Sequence, residues 1–151
     1  MVTVSRIVAG DQPDWRDLYR GYAAFQNASL SDDALDRLWQ EIIDDTQPML
    51  GAIARLDGVA VGLVHFQPFY RPLQACWNGF VNDIYVSDAA RGSGAADALM
   101  KAVRDHARSA GWGEVRWATG ADNARAMAFY DRVSQRTPLV TYKMPITPDE
   151  D

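Results

Sequence analysis

Three sets of side chains in this sequence have types and spacing suited to chemistry. The first is the run VNDIYVSDAARGSGAADALM, residues 81–100, where alternating apolar residues give way to Arg91, Gly92, Ser93, Gly94, Ala95 and Ala96 and then to a helical pattern. A strand handing the chain to a helix through small residues leaves first-turn N–H groups without partners, and this suits an anion such as a phosphate. The run is not a P-loop, because no lysine stands at the required offset from either glycine. It is a poor dinucleotide fingerprint, because Asp97 falls where that pattern wants glycine or alanine. Read alone, RGSGAA suits a connection with no ligand equally well. The second set is the aromatics Tyr19, Tyr22, Phe25, Phe69 and Tyr70, rings of a type that can attract an ammonium, and, read separately, Asp83, a carboxylate on a later strand. At helical spacing such rings also make ordinary core. Glu41, Asp44 and Asp45 add negative charge to the same half of the chain. The third is DNARAMAFYDRV, which opens on Asn123 and carries Tyr130 seven residues later. Tyr130 supplies a phenol that stays protonated at neutral pH. Core packing is the alternative role for that ring, and helix capping for Asn123.

These groups must be positioned by a modest number of elements. Residues 2–9 read as a strand, followed by a helix begun by Asp11 as N-cap and Pro13, running to about Asn27. Ser31 begins a second helix with Leu35, Leu38, Trp39, Ile42 and Ile43 on one face. Strands 49–56 and 59–66 flank Asp57-Gly58, a strong hairpin signal. Residues 67–77, with two prolines and several aromatics, read as a loop or an irregular strand start, before a strand over 80–86. Helix 94–110 ends at Gly111, strand 114–119 follows, then helix 123–133 and a last strand over 139–144. Alternation places Asp83 on the same side of its strand as Tyr85, opposite Ile84.

The chain has 151 residues, a net charge of −5, one cysteine and two histidines. Such a length fits one α+β domain over 1–146 with a short tail at 147–151. The acidic balance argues against nucleic acid as a partner. No apolar stretch is long enough for a membrane span and no secretory leader is visible, so a cytoplasmic protein is expected. Cys76 alone allows no internal disulfide, and no metal site is expected.

Taken together, DIYV, the R-G-x-G-x-A loop, the Ala/Leu helix, Gly-Trp, a strand and DNARAMAFYDRV resemble the GNAT superfamily of acyl-CoA N-acyltransferases. Arg91, Gly94 and Ala96 match the family's [QR]-x-x-G-x-[GA] pattern, and Asn123 with Tyr130 matches its later helix. The C-terminal FYDRVSQRTPLVTYKMPI looks like the branch acting on amines, histone tails and polyamines. The resemblance implies an α+β fold with a mixed, mostly antiparallel sheet of about seven strands and about four helices. It implies transfer of acetyl from acetyl-CoA to a primary amine, whether small amine, polyamine, amino acid or peptidyl lysine. It further implies a cofactor site made by Ile84, Tyr85 and Val86 through main chain, by Arg91, Gly92, Ser93, Gly94, Ala95 and Ala96, and by Asn123 and Ala126. Tyr130 is then the general acid, and Asp83 relays a proton or holds the cationic amine. Relatives often carry Glu-Asp where this chain has Asn82-Asp83, so a direct glutamate base is missing. That departure keeps a non-catalytic acyl-CoA-binding module open as the alternative. The resemblance also allows a homodimer.

Overall fold

The computed structural model describes residues 1–148, so the end of the expected tail, residues 149–151, lies outside the described residues. The chain forms two compact units, Met1–Trp117 and a second that begins at Ala118.

The first unit is built on one sheet in the order β1-β2-β3-β4-β5, with β1 Val2–Arg6, β2 Leu50–Leu56, β3 Val59–Arg71, β4 Cys76–Val86 and β5 Val115–Arg116. The first three pairings are antiparallel and β4–β5 is parallel, so the sheet is mixed and mostly antiparallel, with five strands rather than about seven. Helix α1 (Gln12–Phe25) and helix α2 (Asp32–Ile43) pack on one face, where Trp15, Leu18, Leu35, Trp39 and Ile42 meet Ile53 and Leu63. Helix α3 (Ala95–Ala110) covers the other face, setting Ala95, Leu99 and Val103 against Ala52, Val64, Phe66 and Val81. Two-sided burial explains the nearly unbroken apolar run of β3. Leu99 is fully buried, and Leu99→Ala should destabilise the fold by about 2–5 kcal/mol, measured as a lower urea midpoint with an unchanged slope.

Local chemistry accounts for most of the boundaries. The Asp57-Gly58 turn joins β2 to β3 with positive φ at both residues, 50° and 86°, the geometry that matches the twist of a tight hairpin. Ser31 caps α2 by accepting from the Ala34 N–H. Asp11, expected as the α1 cap, is occupied otherwise: its carboxylate accepts the Val8 N–H and pairs with Arg55 at 2.6 Å. The first strand accordingly ends at Arg6, and a short 3-10 turn over Ala9–Asp11 leads into the helix.

Three further expectations about strands change in the structure. Of the two readings of residues 67–77, the strand one holds for most of them: β3 continues to Arg71 and β4 starts at Cys76, paired from Gln67↔Phe80 to Arg71↔Cys76, with a short turn over 72–75 between them. Cross-strand ring contacts hold this extension, with Tyr70 and Trp77 centroids 5.2 Å apart. Pro68 is tolerated because β2 stops pairing at Phe66, which leaves β3 a free edge where a missing N–H costs nothing. In the second unit, the strand expected over residues 139–144 is absent among the described residues, and Leu139, Val140, Tyr142 and Met144 are exposed. Apolar alternation gives a strand only where a neighbouring ladder receives it. The strand expected over 114–119 shortens to the two residues of β5.

Candidate active site

A bulge in β4 shapes the region around Asp83. His65 on β3 faces Asp83, while the next residue, Phe66, faces Val81, so Asn82 is an extra residue without a cross-strand partner. Its effect is to change faces. Val81 points into the α3 core, and strict alternation would send Asp83 there too. With Asn82 inserted, Asp83 instead turns toward α1, beside Tyr85, while Ile84 and Val86 return to the α3 core. The expected grouping of Asp83 with Tyr85 against Ile84 therefore holds, because the bulge lies before it. Asn82 itself is exposed.

Asp83 is the centre of a hydrogen-bond cluster within the first unit. His65 Nδ1 lies 2.8 Å from Asp83 Oδ2, and the Tyr19 hydroxyl donates to the same oxygen at 3.2 Å. Tyr22 adds a further hydrogen bond. Burial pushes the Asp83 carboxyl up, but the hydrogen bond and electrostatic pull of His65, with hydrogen bonds from Tyr22 and Tyr19, more than reverse this and hold it below the ordinary carboxylate range. The same contact has the opposite effect on the partner phenol. Burial first, and then the Asp83 charge, push Tyr19 far above the usual phenol value, so it remains a donor. Aromatic rings enclose the group: Tyr19 lies 5.4 Å from Tyr22, and Tyr22 6.0 Å from Tyr85. Of the aromatics expected near an ammonium, Tyr19 and Tyr22 are here. Phe25 is exposed, and Phe69 and Tyr70 sit on the β3–β4 extension against Phe80 and Trp77. The acidic residues after α2 are engaged elsewhere, Asp44 with Thr46 and Asp45 with Arg6, and Glu41 is exposed.

Downstream of Asp83, β4 becomes a sheet edge. β5 pairs only with Gly79 and Phe80, so Ile84, Tyr85 and Val86 have β3 on one side and no strand on the other among the described residues. Residues 91–94 then turn the chain into α3. Gly92 and Gly94 have φ of 79° and 87°, conformations that suit glycine. Ser93 Oγ accepts the Ala95 N–H at 3.3 Å, and a helix beginning at Ala95 has no acceptors of its own for its first-turn amides. Arg91 is partly exposed and pairs with Asp88 at 2.6 Å. The loop thus joins helix-start amides, two glycines and an arginine, a combination able to receive a phosphate.

In the second unit, Asn123 caps helix α4 (Ala124–Val133) by accepting from the Ala126 N–H at 3.2 Å. Tyr130 is half-buried on that helix beside Phe129, and burial pushes its phenol above the usual value. The phenol is therefore protonated at neutral pH.

His65 and Trp15 had no place among the residues expected at the site. The signal for them was a histidine inside the apolar run VGLVHF, since a buried imidazole demands partners. The bulge also left a trace, because the adjacent apolar residues Phe80 and Val81 break the alternation just before Asn82.

The model of the acetyltransferase (GNAT) family matches residues 14–134. The chain belongs to this family. A member is an acetyl-CoA-dependent acetyltransferase, and the α+β fold described above agrees. The chain is 28% identical over 144 residues to the D-amino-acid N-acetyltransferase HPA3 of Saccharomyces cerevisiae, covering 94% of this chain and 89% of that protein. Among solved structures, it resembles the ribosomal-protein-alanine N-acetyltransferase of Brucella melitensis biovar Abortus 2308. The TM-score is 0.81 at 21% identity, with 97% and 99% of the two chains covered. AAC(6')-Iy in complex with the bisubstrate analogue CoA-S-monomethyl-acetylneamine gives a TM-score of 0.84 at 20% identity, again over 97% and 99%. No helix among the described residues is long and apolar enough to cross a membrane, and none of their His, Cys, Asp and Glu side chains group to hold a metal ion.

Proposed function

We propose that this protein transfers the acetyl group of acetyl-CoA directly to a primary amine that docks as an ammonium on Asp83. The observation that carries this reading is a half-buried carboxylate, held ionised by three donors and ringed by tyrosines, on the strand that leads to the Gly94 helix start. A fixed negative charge in a partly dry, aromatic setting attracts a cation far more strongly than a solvated one does. Because the carboxyl is held below its ordinary value, Asp83 is a weak base toward an ammonium whose own pKa is about 10.4. Its role is to hold the amine. The ammonium loses a proton to solvent, and the neutral nitrogen attacks the thioester carbonyl. Collapse of the adduct expels the thiolate, and Tyr130 donates the proton that makes it a thiol; the adduct nitrogen sheds its remaining proton to solvent as the amide forms, and the Tyr130 phenolate regains one from solvent. The names of the relatives, which act on D-amino acids, protein alanine and aminoglycosides, all denote transfer to amines and support this substrate class.

In this reading the diphosphate of acetyl-CoA rests on the amides around Gly94, with Arg91 supplying positive charge and Asn123 and Ala126 further contacts. The pantetheine arm pairs with the main chain of Ile84, Tyr85 and Val86. Gly94→Ala places a Cβ at a φ of 87°, a strain of about 1–2 kcal/mol that the folded loop must absorb or relieve. The expected result is acetyl-CoA binding weakened by roughly tenfold in calorimetry, since about 1.4 kcal/mol corresponds to that factor. The reading as a whole is tested by titrating acetyl-CoA and then following thiol release over amino acids of both hands, polyamines, aminoglycosides and basic peptides. Release with one amine class supports it. Tight acetyl-CoA binding with no release from any amine favours a binding module.

A further inference from the structure

We propose that His65 is a positioning residue for this reaction, a neutral imidazole fixed in one tautomer by Trp15 that aims the Asp83 carboxylate at the incoming amine. The inference rests on Asp83 being the amine-binding group proposed above. An indole N–H can only donate, and Trp15 Nε1 lies 3.0 Å from His65 Nε2, so Nε2 must be the accepting nitrogen. The ring proton therefore sits on Nδ1, where it is donated to Asp83 Oδ2 across 2.8 Å. Both nitrogens are then committed. His65 has no lone pair left for a substrate proton, and this excludes it as a base.

The placement favours a role beyond filling the core. Trp15 and His65 are sealed from solvent, at 0% and 1% exposure, whereas the Asp83 side chain retains 17%. The three groups thus form a line from rigid interior to accessible carboxylate. His65 stands opposite Asp83 in the β3–β4 ladder, next to the bulge that turns Asp83 toward α1. The other groups facing Asp83 are Tyr19 and Tyr22 of α1, with Tyr85 on its own strand. The imidazole lies between Trp15, 6.2 Å away by ring centroid, and Tyr19, 5.3 Å away. His65 is thus fixed from behind, by the Trp15 N–H on its other ring nitrogen.

Two amide substitutions separate its two hydrogen bonds. In His65→Asn the amide nitrogen falls near the former Nδ1, so Asp83 keeps its donor and Trp15 loses its acceptor. In His65→Gln the amide reaches the former Nε2, so Trp15 keeps an acceptor and Asp83 loses its donor. His65→Gln should raise the amine KM by roughly ten- to a hundredfold, the loss expected of one hydrogen bond to a charged group. It should also shift the acid limb of kcat/KM to higher pH, because a carboxylate stripped of a donor protonates more readily. Acetyl-CoA affinity should not change. His65→Asn should keep the amine KM and acid limb near those of the parent, although its thermal stability falls. An unchanged amine KM and acid limb in His65→Gln, or equal losses in both variants, overturns the role assigned to His65. Asp83→Asn separates the two levels: no effect on amine KM from this substitution sinks the amine-site reading, whereas an effect there with none in His65→Gln sinks only the present inference. Nitrogen NMR of the unaltered protein tests the tautomer independently of whether any variant folds. A protonated Nδ1 with a bare Nε2 is expected, and a proton on Nε2 alone overturns the assignment.

Discussion

Tyr130→Phe is expected to lower kcat by about 10²- to 10⁴-fold, the range typical of losing a positioned general acid, while acetyl-CoA affinity stays within a factor of two or so. The substitution removes one oxygen and keeps the ring. The backbone carbonyl of Tyr130 continues to accept the Ser134 N–H and hydroxyl at the end of α4, so the helix terminus is unaffected. The expected loss comes from the leaving group. A free thiol such as that of cysteine has a pKa near ~8.5 and a phenol one near ~10, and burial raises the Tyr130 phenol further. The phenol is therefore protonated throughout the working pH range and can deliver its proton as the carbon–sulfur bond breaks. Single-turnover kinetics with saturating acetyl-CoA would isolate the step. If the variant acetylates amines as fast as the parent does, Tyr130 is a packing residue and the acid lies elsewhere.

Asp83→Asn is expected to reduce kcat/KM for the amine by at least about 10²-fold, mainly through KM, since truncating a partly buried charge pair costs about 2–5 kcal/mol. An asparagine can still accept the His65 Nδ1–H, so the fold should survive and the charge alone is lost. The pH dependence follows from the direction of the Asp83 shift. A carboxyl held below the usual value near ~3.9 is ionised above that value and loses its charge only as pH falls through its own lower pKa. Ammonium binding should thus persist on acidification to about pH 5. Turnover should climb from neutral toward alkaline pH, reporting deprotonation of the amine rather than of Asp83. A bell with an acid limb near pH 5 to 6 in the parent enzyme would contradict this assignment.

Much of this was legible in the sequence for identifiable reasons. Helices α1, α2 and α3 bury one face each, so their periodicity shows, and glycine is needed at the positive φ of Gly94 and Gly58. The Asp57-Gly58 turn and the strand-to-helix loop announce themselves by residue type. What was not legible depended on partners far along the chain. Pro68 in a strand makes sense only once β2 is seen to stop at Phe66. The bulge at Asn82 decides which face Asp83 occupies, and its trace in the sequence is two adjacent apolar residues. His65 became meaningful through Trp15, fifty positions away in sequence. The strand expected over 139–144 has the alternating pattern, yet its apolar residues are exposed and no ladder forms there among the described residues.

A crystal structure with a bisubstrate analogue, coenzyme A joined through its sulfur to an amine-bearing acceptor, would test the central claim most directly. The account predicts the diphosphate against the backbone amides at Gly94, Ala95 and Ala96, with an ammonium of the acceptor within hydrogen-bond distance of Asp83. A diphosphate bound away from this loop, or an acceptor lodged with no nitrogen near Asp83, would contradict it.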